Sequence, residues 1–462
     1  MATRKDLLKA QSFTSRRMIA AFVNRDPDDP TPPLRRLGTA TFVSVLLGVV
    51  LLAGTTLLGL LRGGTAGESW KDQSNVILSD AQSGALFVYQ DEKLYPMADV
   101  SSARLKAAGT DPKGQPRVIE VKTEALSGEV QQPEEGIPGS PRQLPAVGDL
   151  RGHPLRLCST APQGHDRRYL TLEFESGLTG STDFAIVARH SNGTDYLVFG
   201  GQAHQLYAAP GQQSSLIGDL PVVTPGDGWI AALPMGQPIN PLRVDGYGSP
   251  GSERLTIGQM AVVDDGDNDR YYIQFAGGLS RISYLEMKAI QQQNRDDADP
   301  VPLTEVEVTE LSNAEIPRFS ADGIPLGQPT PPPGDFSSEG ASVCATYHAD
   351  SPERVLLSID QPTPQIPSNA NAPLGRYVDL VTLPPLSGAL LRNMDAVTED
   401  GATTLLLNGK GYFIPTTGAR TALGYGGVTP VPVPGGLINL LPPGLSTPGS
   451  ALSAEMIVRT GN

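Results

Sequence analysis

The sequence predicts a mixed α/β, β-rich protein: one N-terminal transmembrane helix, then an extracytoplasmic domain in which four β-hairpin-containing repeats surround a β-rich core. Three observations carry this. Residues Leu37 to Leu61 are uncharged and lie between Arg36 and Arg62. The 462-residue chain holds 51 glycines and 42 prolines, a composition of many turns and short elements. Four separated segments share one apolar strand–turn–strand pattern.

The uncharged run reaches about 37 Å as a helix, enough to cross a hydrocarbon core of about 30 Å with some tilt. Before it stand eight Lys or Arg (Arg4, Lys5, Lys9, Arg16, Arg17, Arg25, Arg35, Arg36) against four Asp. In the 20 residues after it, Arg62 and Lys71 face Glu68, Asp72 and Asp80. Positive charge stays on the cytoplasmic side, so the leader 1–36 is expected inside and 62–462 outside. A cleaved secretory signal fits poorly, because the apolar stretch is too long and ends in Leu60-Leu61-Arg62-Gly63-Gly64 with no small-residue cleavage site.

The leader reads as a helix from Thr3 to Val23. Its apolar stripe of Leu7, Leu8, Met18, Ile19, Phe22 and Val23 is interrupted by Gln11, Ser12 and Ser15. A lipid-lying helix wants a continuous stripe, so docking onto another protein fits at least as well. Asp26-Pro27-Asp28-Asp29-Pro30-Thr31-Pro32-Pro33 then ends the helix.

Net charge is −14, and the leader is basic, leaving about −18 outside. Such a surface argues against nucleic acid or anionic lipid as ligand. Both cysteines, Cys158 and Cys344, lie on the external side, where disulfides persist. Pairing them closes a loop of almost 190 residues, worth at most about 5 kcal/mol by loop-closure entropy. The competing reading, a catalytic thiol, leaves the second cysteine without a job.

The repeated segments are Ser83–Leu105, Thr194–Gly218, Arg270–Ile290 and Ala402–Gly426, each a hairpin followed by a helical turn or short helix. They place repeats near 71–110, 190–220, 262–298 and 400–427, with core segments 115–190, 220–262, 300–400 and 428–456. Their spacings, roughly 110, 75 and 130 residues, exclude a solenoid or propeller, which need a fixed period. A lone hairpin is marginal in water, so each must rest on a shared body. Asp111–Ser140 and the Pro-rich Pro317–Gly334 read as exposed, poorly packed loops. The acidic run Asp264–Asp269 lacks the alternating ligands and distal Glu of an EF-hand and reads as a hairpin tip.

Motifs for chemistry are missing. There is no Gly-x-x-x-x-Gly-Lys-Ser/Thr loop, no Gly-x-Ser-x-Gly elbow and no His-Glu-x-x-His. His153, His165, His190, His204 and His348 are scattered without ligand-like spacing. The expectation is no catalytic, cofactor-binding or metal site.

The order of pieces resembles the EccB family, the single-pass core component of type VII (ESX) secretion machines. The resemblance rests on Gln11–Arg17 with Ala21-Phe22-Val23-Asn24-Arg25-Asp26, Gly59-Leu60-Leu61-Arg62 with Trp70, and Ser83-Gly84-Ala85 with Leu94-Tyr95-Pro96. Ser102-Ala103-Arg104-Leu105, Gly136-Ile137-Pro138-Gly139 and Leu157-Cys158-Ser159 continue it. So do Tyr196-Leu197-Val198, Tyr271-Tyr272, Ala422-Leu423-Gly424-Tyr425-Gly426 and the tail from Pro430-Val431-Pro432 to Pro442. It implies a Cys158–Cys344 disulfide, an inner-membrane location with a periplasmic domain, and self-association. It also implies a complex with EccC (the motor ATPase), EccD, EccE and a MycP-like mycosin. The expected role is a structural core subunit that scaffolds assembly. Two other classes stay open: an envelope enzyme, either the ATPase activity ascribed to some members or a wall hydrolase, and a cell-wall-binding module.

Overall fold

The computed structural model describes residues 4–24, 41–51, 70–109, 114–160, 168–175, 177–207, 218–240, 244–266, 269–293, 299–312, 324–334, 342–360, 376–396 and 401–460. It is mixed α/β and β-rich, with several separate sheets. The polypeptide divides into two compact units. One comprises Met1–Gln73, Asp80–Ser83 and Ile119–Gly128; the other comprises Ser74–Ser79, Gly84–Val118 and Glu129–Asn462.

In the smaller unit the leader forms a helix over Arg4–Asn24, with Leu7, Leu8, Phe13, Met18 and Phe22 exposed. Of the expected span Leu37–Leu61, residues 41–51 are helical and the remainder lies outside the described residues. Among the described residues no helix is long and apolar enough to cross a membrane. A turn at Asp80 meets the short helix Thr123–Leu126: the Thr123 hydroxyl donates to Asp80 Oδ1 at 2.8 Å and Ala81 N–H to Val121 O at 2.9 Å. Hydrogen bonds from Ser83 and Thr123 hold the Asp80 carboxyl below the usual carboxylate range.

The larger unit is built on a five-stranded sheet with the order Val355–Asp360, Ser342–Tyr347, Leu155–Thr160, Tyr169–Glu173, Leu380–Thr382. The first four strands are antiparallel, and the last runs parallel to its neighbour. Alternation sorts the faces. Leu155, Leu157, Leu170, Leu172, Val343, Ala345, Val355 and Leu357 enter the main core with Trp229 and Tyr347. Arg156, Cys158 and Thr160 point to the other side.

Three four-stranded sheets share one backbone path. Their strands are Ile186–Arg189, Asp195–Phe199, Gln202–Gln205 and Val222–Val223 in one, and Met260–Val263, Arg270–Phe275, Gly278–Ile282 and Val301–Pro302 in the next. The third has Gly388–Asn393, Thr403–Leu407, Lys410–Ile414 and Val431–Val433. In each, the spatial order is third, second, first, fourth, and the fourth strand runs parallel to the first. A helix follows each fourth strand: Asp227–Ala232, Glu305–Leu311 and Gly435–Asn439. A further sheet runs Val458–Arg459, Glu135–Gly136, Lys93–Met97, Leu86–Gln90 and then Val76–Asp80, with helix Val100–Ala108 packed on its hairpin.

The sheet edges are closed by one device. In each hairpin the second residue of the returning strand meets a later extended segment. Leu94 N–H donates to Val130 O (3.0 Å) while its carbonyl accepts from Gln132 N–H (2.8 Å). Ala203 does the same with Pro234 and Gly236, and Gly411 with Pro442 and Gly444. Leu279 is bridged in parallel to Ser312. In the three four-stranded sheets the opposite edges are strands of two or three residues bearing or adjoining proline (Pro221, Pro302, Pro432), which withhold a template for further pairing.

Of the two stretches read as exposed loops, the first carries regular structure; of the second, 317–323 lie outside the described residues and 324–334 form no helix or strand. Asp111–Ser140 contains strand Val118–Val121, helix Thr123–Leu126 and strand Glu135–Gly136, because the alternating Val118-Ile119-Glu120-Val121 suffices for a short strand inside a Pro/Gly-rich stretch. In the Pro-rich segment, Pro329 and Pro332 are buried, and Thr330 bonds at both its hydroxyl (to Asp183 O, 2.7 Å) and its carbonyl (from Ala185 N–H, 2.8 Å).

Three of the two-residue hairpin turns follow the twist rule, which asks for positive φ at both central residues; Ala276-Gly277 does not. Gly200-Gly201 (60°, 85°) and Asn408-Gly409 (51°, 74°) meet it cheaply; Asp91-Glu92 (50°, 58°) does so with two side chains. Replacing Glu92→Gly removes one penalty of about 1 kcal/mol, so thermal unfolding of the variant should move upward. An unchanged or lower midpoint would mean the turn is held by something other than local backbone preference.

Candidate functional site

Leu-Arg-Leu-Cys-Ser-Thr, Leu155–Thr160, alternates apolar and polar residues and so makes a strand with two different faces. Its partner Ser342–Tyr347 places Cys344 directly opposite Cys158, with Cα atoms 4.0 Å apart, and the two are disulfide-bonded across a sequence separation of 186. Each is 1% exposed. On the same face the Thr160 and Ser342 hydroxyls are 2.7 Å apart. Arg156 donates through Nε (3.1 Å) and Nη2 (2.7 Å) to Glu173 Oε2.

On the opposite face two aromatic residues fasten the sheet to the helix Asp227–Ala232. Trp229 Nε1 donates to Leu157 O at 3.1 Å, and the Tyr347 hydroxyl donates to Ala232 O at 2.8 Å. Both are 0% exposed, and burial pushes the Tyr347 phenol far above its ordinary range. Sequence reasoning singled out neither; a tryptophan in a chain holding only two of them was the available signal.

The described histidines are dispersed. His204 is fully buried: Nδ1 lies 2.8 Å from Gln237 O, and the ring lies so close to Gly236 that a Cβ there would come within 2.3 Å of it. Burial lowers its pKa. His153 lies near His348, and burial lowers its pKa as well. His190 is a surface group 3.5 Å from Asp227. His165 lies outside the described residues. Among the described residues no three His, Cys, Asp or Glu side chains gather as a metal site.

What recurs is therefore a backbone path: three sheets of one strand order in the same unit as a central sheet that one disulfide cross-links. The chain belongs to the EccB family of type VII secretion, whose sequence model, described as type VII secretion system ESX-1, transport TM domain B, matches residues 1–456. A curated relative, the ESX-2 secretion system ATPase EccB2 of Mycobacterium tuberculosis, is 27% identical over 310 residues. The match covers 63% of this chain and spans 59% of that relative. The ESX-3 secretion system ATPase EccB3 of Mycolicibacterium smegmatis is 30% identical over 133 residues, 29% of this chain and 24% of the relative. Among solved structures, the EccB3 dimer from the ESX-3 core complex aligns with a TM-score of 0.60 at 20% identity, covering 82% of this chain and 99% of that one. One polypeptide of an intact ESX-5 inner membrane complex aligns at 0.54 and 20% identity, covering 99% and 95%. These structures share the fold.

Two outcomes follow. Removing the cross-link in a Cys158→Ala/Cys344→Ala protein should cost about 2–5 kcal/mol in chemical denaturation, given the length of the closed loop; a loss under about 1 kcal/mol would mean the register alone holds the sheet. The second concerns pH. His204 has a folded pKa below its unfolded value of about 6.5, so the unfolded chain takes the proton first. Its contribution is complete above about 6.5 and is lost as pH falls below that value. Thermal midpoints should drop between pH 7.5 and 5.5, and His204→Gln should shrink that drop; an identical drop in the variant would exclude His204 as a source.

Proposed function

We propose that this protein is a structural core subunit of a type VII (ESX) secretion complex in the inner membrane. The observation that carries this reading is the family match over residues 1–456, essentially the whole chain. The fold shared with polypeptides from an ESX-3 core complex and an ESX-5 inner membrane complex supports it. In this reading residues 1–36 form a cytoplasmic helix and linker, 37–61 span the membrane, and 62–462 form the periplasmic domain. The exposed apolar side chains of Arg4–Asn24 give that helix a face to dock on cytoplasmic parts of the complex.

The periplasmic domain is read as four hairpin-bearing repeats around a β-rich core. Support comes from the common path of three sheets, and from the fourth hairpin, at Leu86–Met97, whose edge is closed by the same pair of backbone bonds. Several similar units on one body suit repeated contacts, both with further copies of the protein and with EccC, EccD, EccE and a MycP-like mycosin. The relatives are named ATPases, and this sequence has no phosphate-binding loop; Lys410 follows Asn408-Gly409 at a hairpin turn.

Deleting residues 3–23 should abolish recovery of the complex through a tag on this protein while leaving the periplasmic domain folded and oxidised. Normal secretion from that strain would refute the docking role. ATP turnover by the purified protein, abolished by one point substitution, would replace the structural reading with an enzymatic one.

A further inference from the structure

A cavity of about 440 Å³ opens in the larger unit among four segments far apart in sequence. Arg104 comes from the helix Val100–Ala108, and Arg142, Leu144 and Asp149 come from the loop that follows Pro141. Leu386 comes from a turn and Leu407 from the end of a hairpin strand. In a protein of net charge −14, this cavity holds two arginines against one aspartate.

Arg104 is half-buried. Nη1 donates to Leu423 O at 2.6 Å, and Nε is buried with no hydrogen-bond partner. Among the described residues neither Arg104 nor Arg142 has an ion-pair partner. A guanidinium partly taken out of water without an anion loses hydration that the single bond to Leu423 O returns only in part. Burial lowers its pKa accordingly.

The lip of the cavity carries a second anomaly. Ser387 N–H donates to Pro384 O at 3.2 Å and closes the turn Pro384-Pro385-Leu386-Ser387. Leu386 occupies its third position at φ 61°, where glycine is the favoured residue, and its side chain is 78% exposed. A strained backbone that presents a large apolar group to solvent is the pattern found at ligand clamps. The wall beneath is fixed, since the Tyr425 hydroxyl donates to Pro145 O at 2.9 Å and Ser101 to Pro141 O at 2.9 Å.

We propose that this cavity is a binding site for a peptide carboxylate carried beside an apolar side chain, with Arg104 and Arg142 taking the carboxylate and Leu386, Leu144 and Leu407 the apolar group. The carboxylate has two possible sources, the α-carboxylate that ends a peptide or an acidic side chain next to an apolar residue. The site is independent of the scaffolding role: a scaffold without it remains a scaffold.

The test is ligand-observed saturation-transfer NMR on the detergent-solubilised full-length protein. Three probes are compared: N-acetyl-leucine, N-acetyl-leucinamide and N-acetyl-glutamyl-leucinamide. The two acids should bind and the uncharged amide should not; the stronger acid identifies the source. Arg142→Gln, an exposed position that leaves the fold intact, should weaken binding about tenfold or more, as should Arg104→Lys. Leu386→Gly removes the apolar lip while relaxing the turn, and should weaken both acids without harming folding. Failure of both acids to bind, binding that survives Arg142→Gln and Leu386→Gly, or equal binding of the amide would overturn the proposal. Competition by inorganic phosphate as strong as by N-acetyl-leucine would make it a plain anion site and overturn the apolar half.

Discussion

The larger unit depends on one pairing. Leu155–Thr160 lies between Tyr169–Glu173, its neighbour in sequence, and Ser342–Tyr347, which is reached only after two complete four-stranded sheets have intervened. Every residue pair from Leu155↔Tyr347 to Thr160↔Ser342 must be in register for one face to bury its leucines and the other to bring Cys158 onto Cys344. A slip of one residue would turn the apolar set outward and separate the sulfurs. The covalent bond and the apolar face thus enforce the same register independently. Trp229 and Tyr347 then carry that register to the next layer through bonds to backbone carbonyls.

The surrounding sheets solve a different problem. A protein with many small sheets has many edges, and each unpaired edge invites a foreign strand. Here the long edge of each hairpin is matched by a parallel bridge from a segment further along the sequence, while in the three four-stranded sheets the other edge ends in a strand of two or three residues that bears or adjoins proline.

The hairpins were legible because their signal is local. Tyr196-Leu197-Val198-Phe199 before Gly200-Gly201, and Leu405-Leu406-Leu407 before Asn408-Gly409, combine apolar strands with turn residues that supply positive φ. The parallel strands Val222–Val223 and Val301–Pro302 were not legible, because two residues carry no periodicity. Gly388–Asn393 is a plain apolar run, and nothing in it names Thr403–Leu407 and Val431–Val433 as its neighbours. The pair of cysteines announced itself by being the sole pair, though not its position across from Thr171 and Ser358 in the middle of a sheet. The arginine-lined cavity lay beyond sequence reasoning altogether. Its parts are about 300 residues apart, and a leucine at positive φ looks like any other leucine until the turn is seen.

The late strand Val458–Arg459 pairs with Glu135–Gly136, and Thr460 N–H donates to Glu134 O at 2.9 Å across a sequence separation of 326. The sheet begun by the earliest strands is therefore completed by residues translated long after them. A nascent polypeptide reaches closure only once Thr460 has been made, so one that stops short of Val458 keeps a gap beside Glu135. Such a fragment exposes to solvent the backbone groups of Glu135 and Gly136 that the late strand otherwise covers.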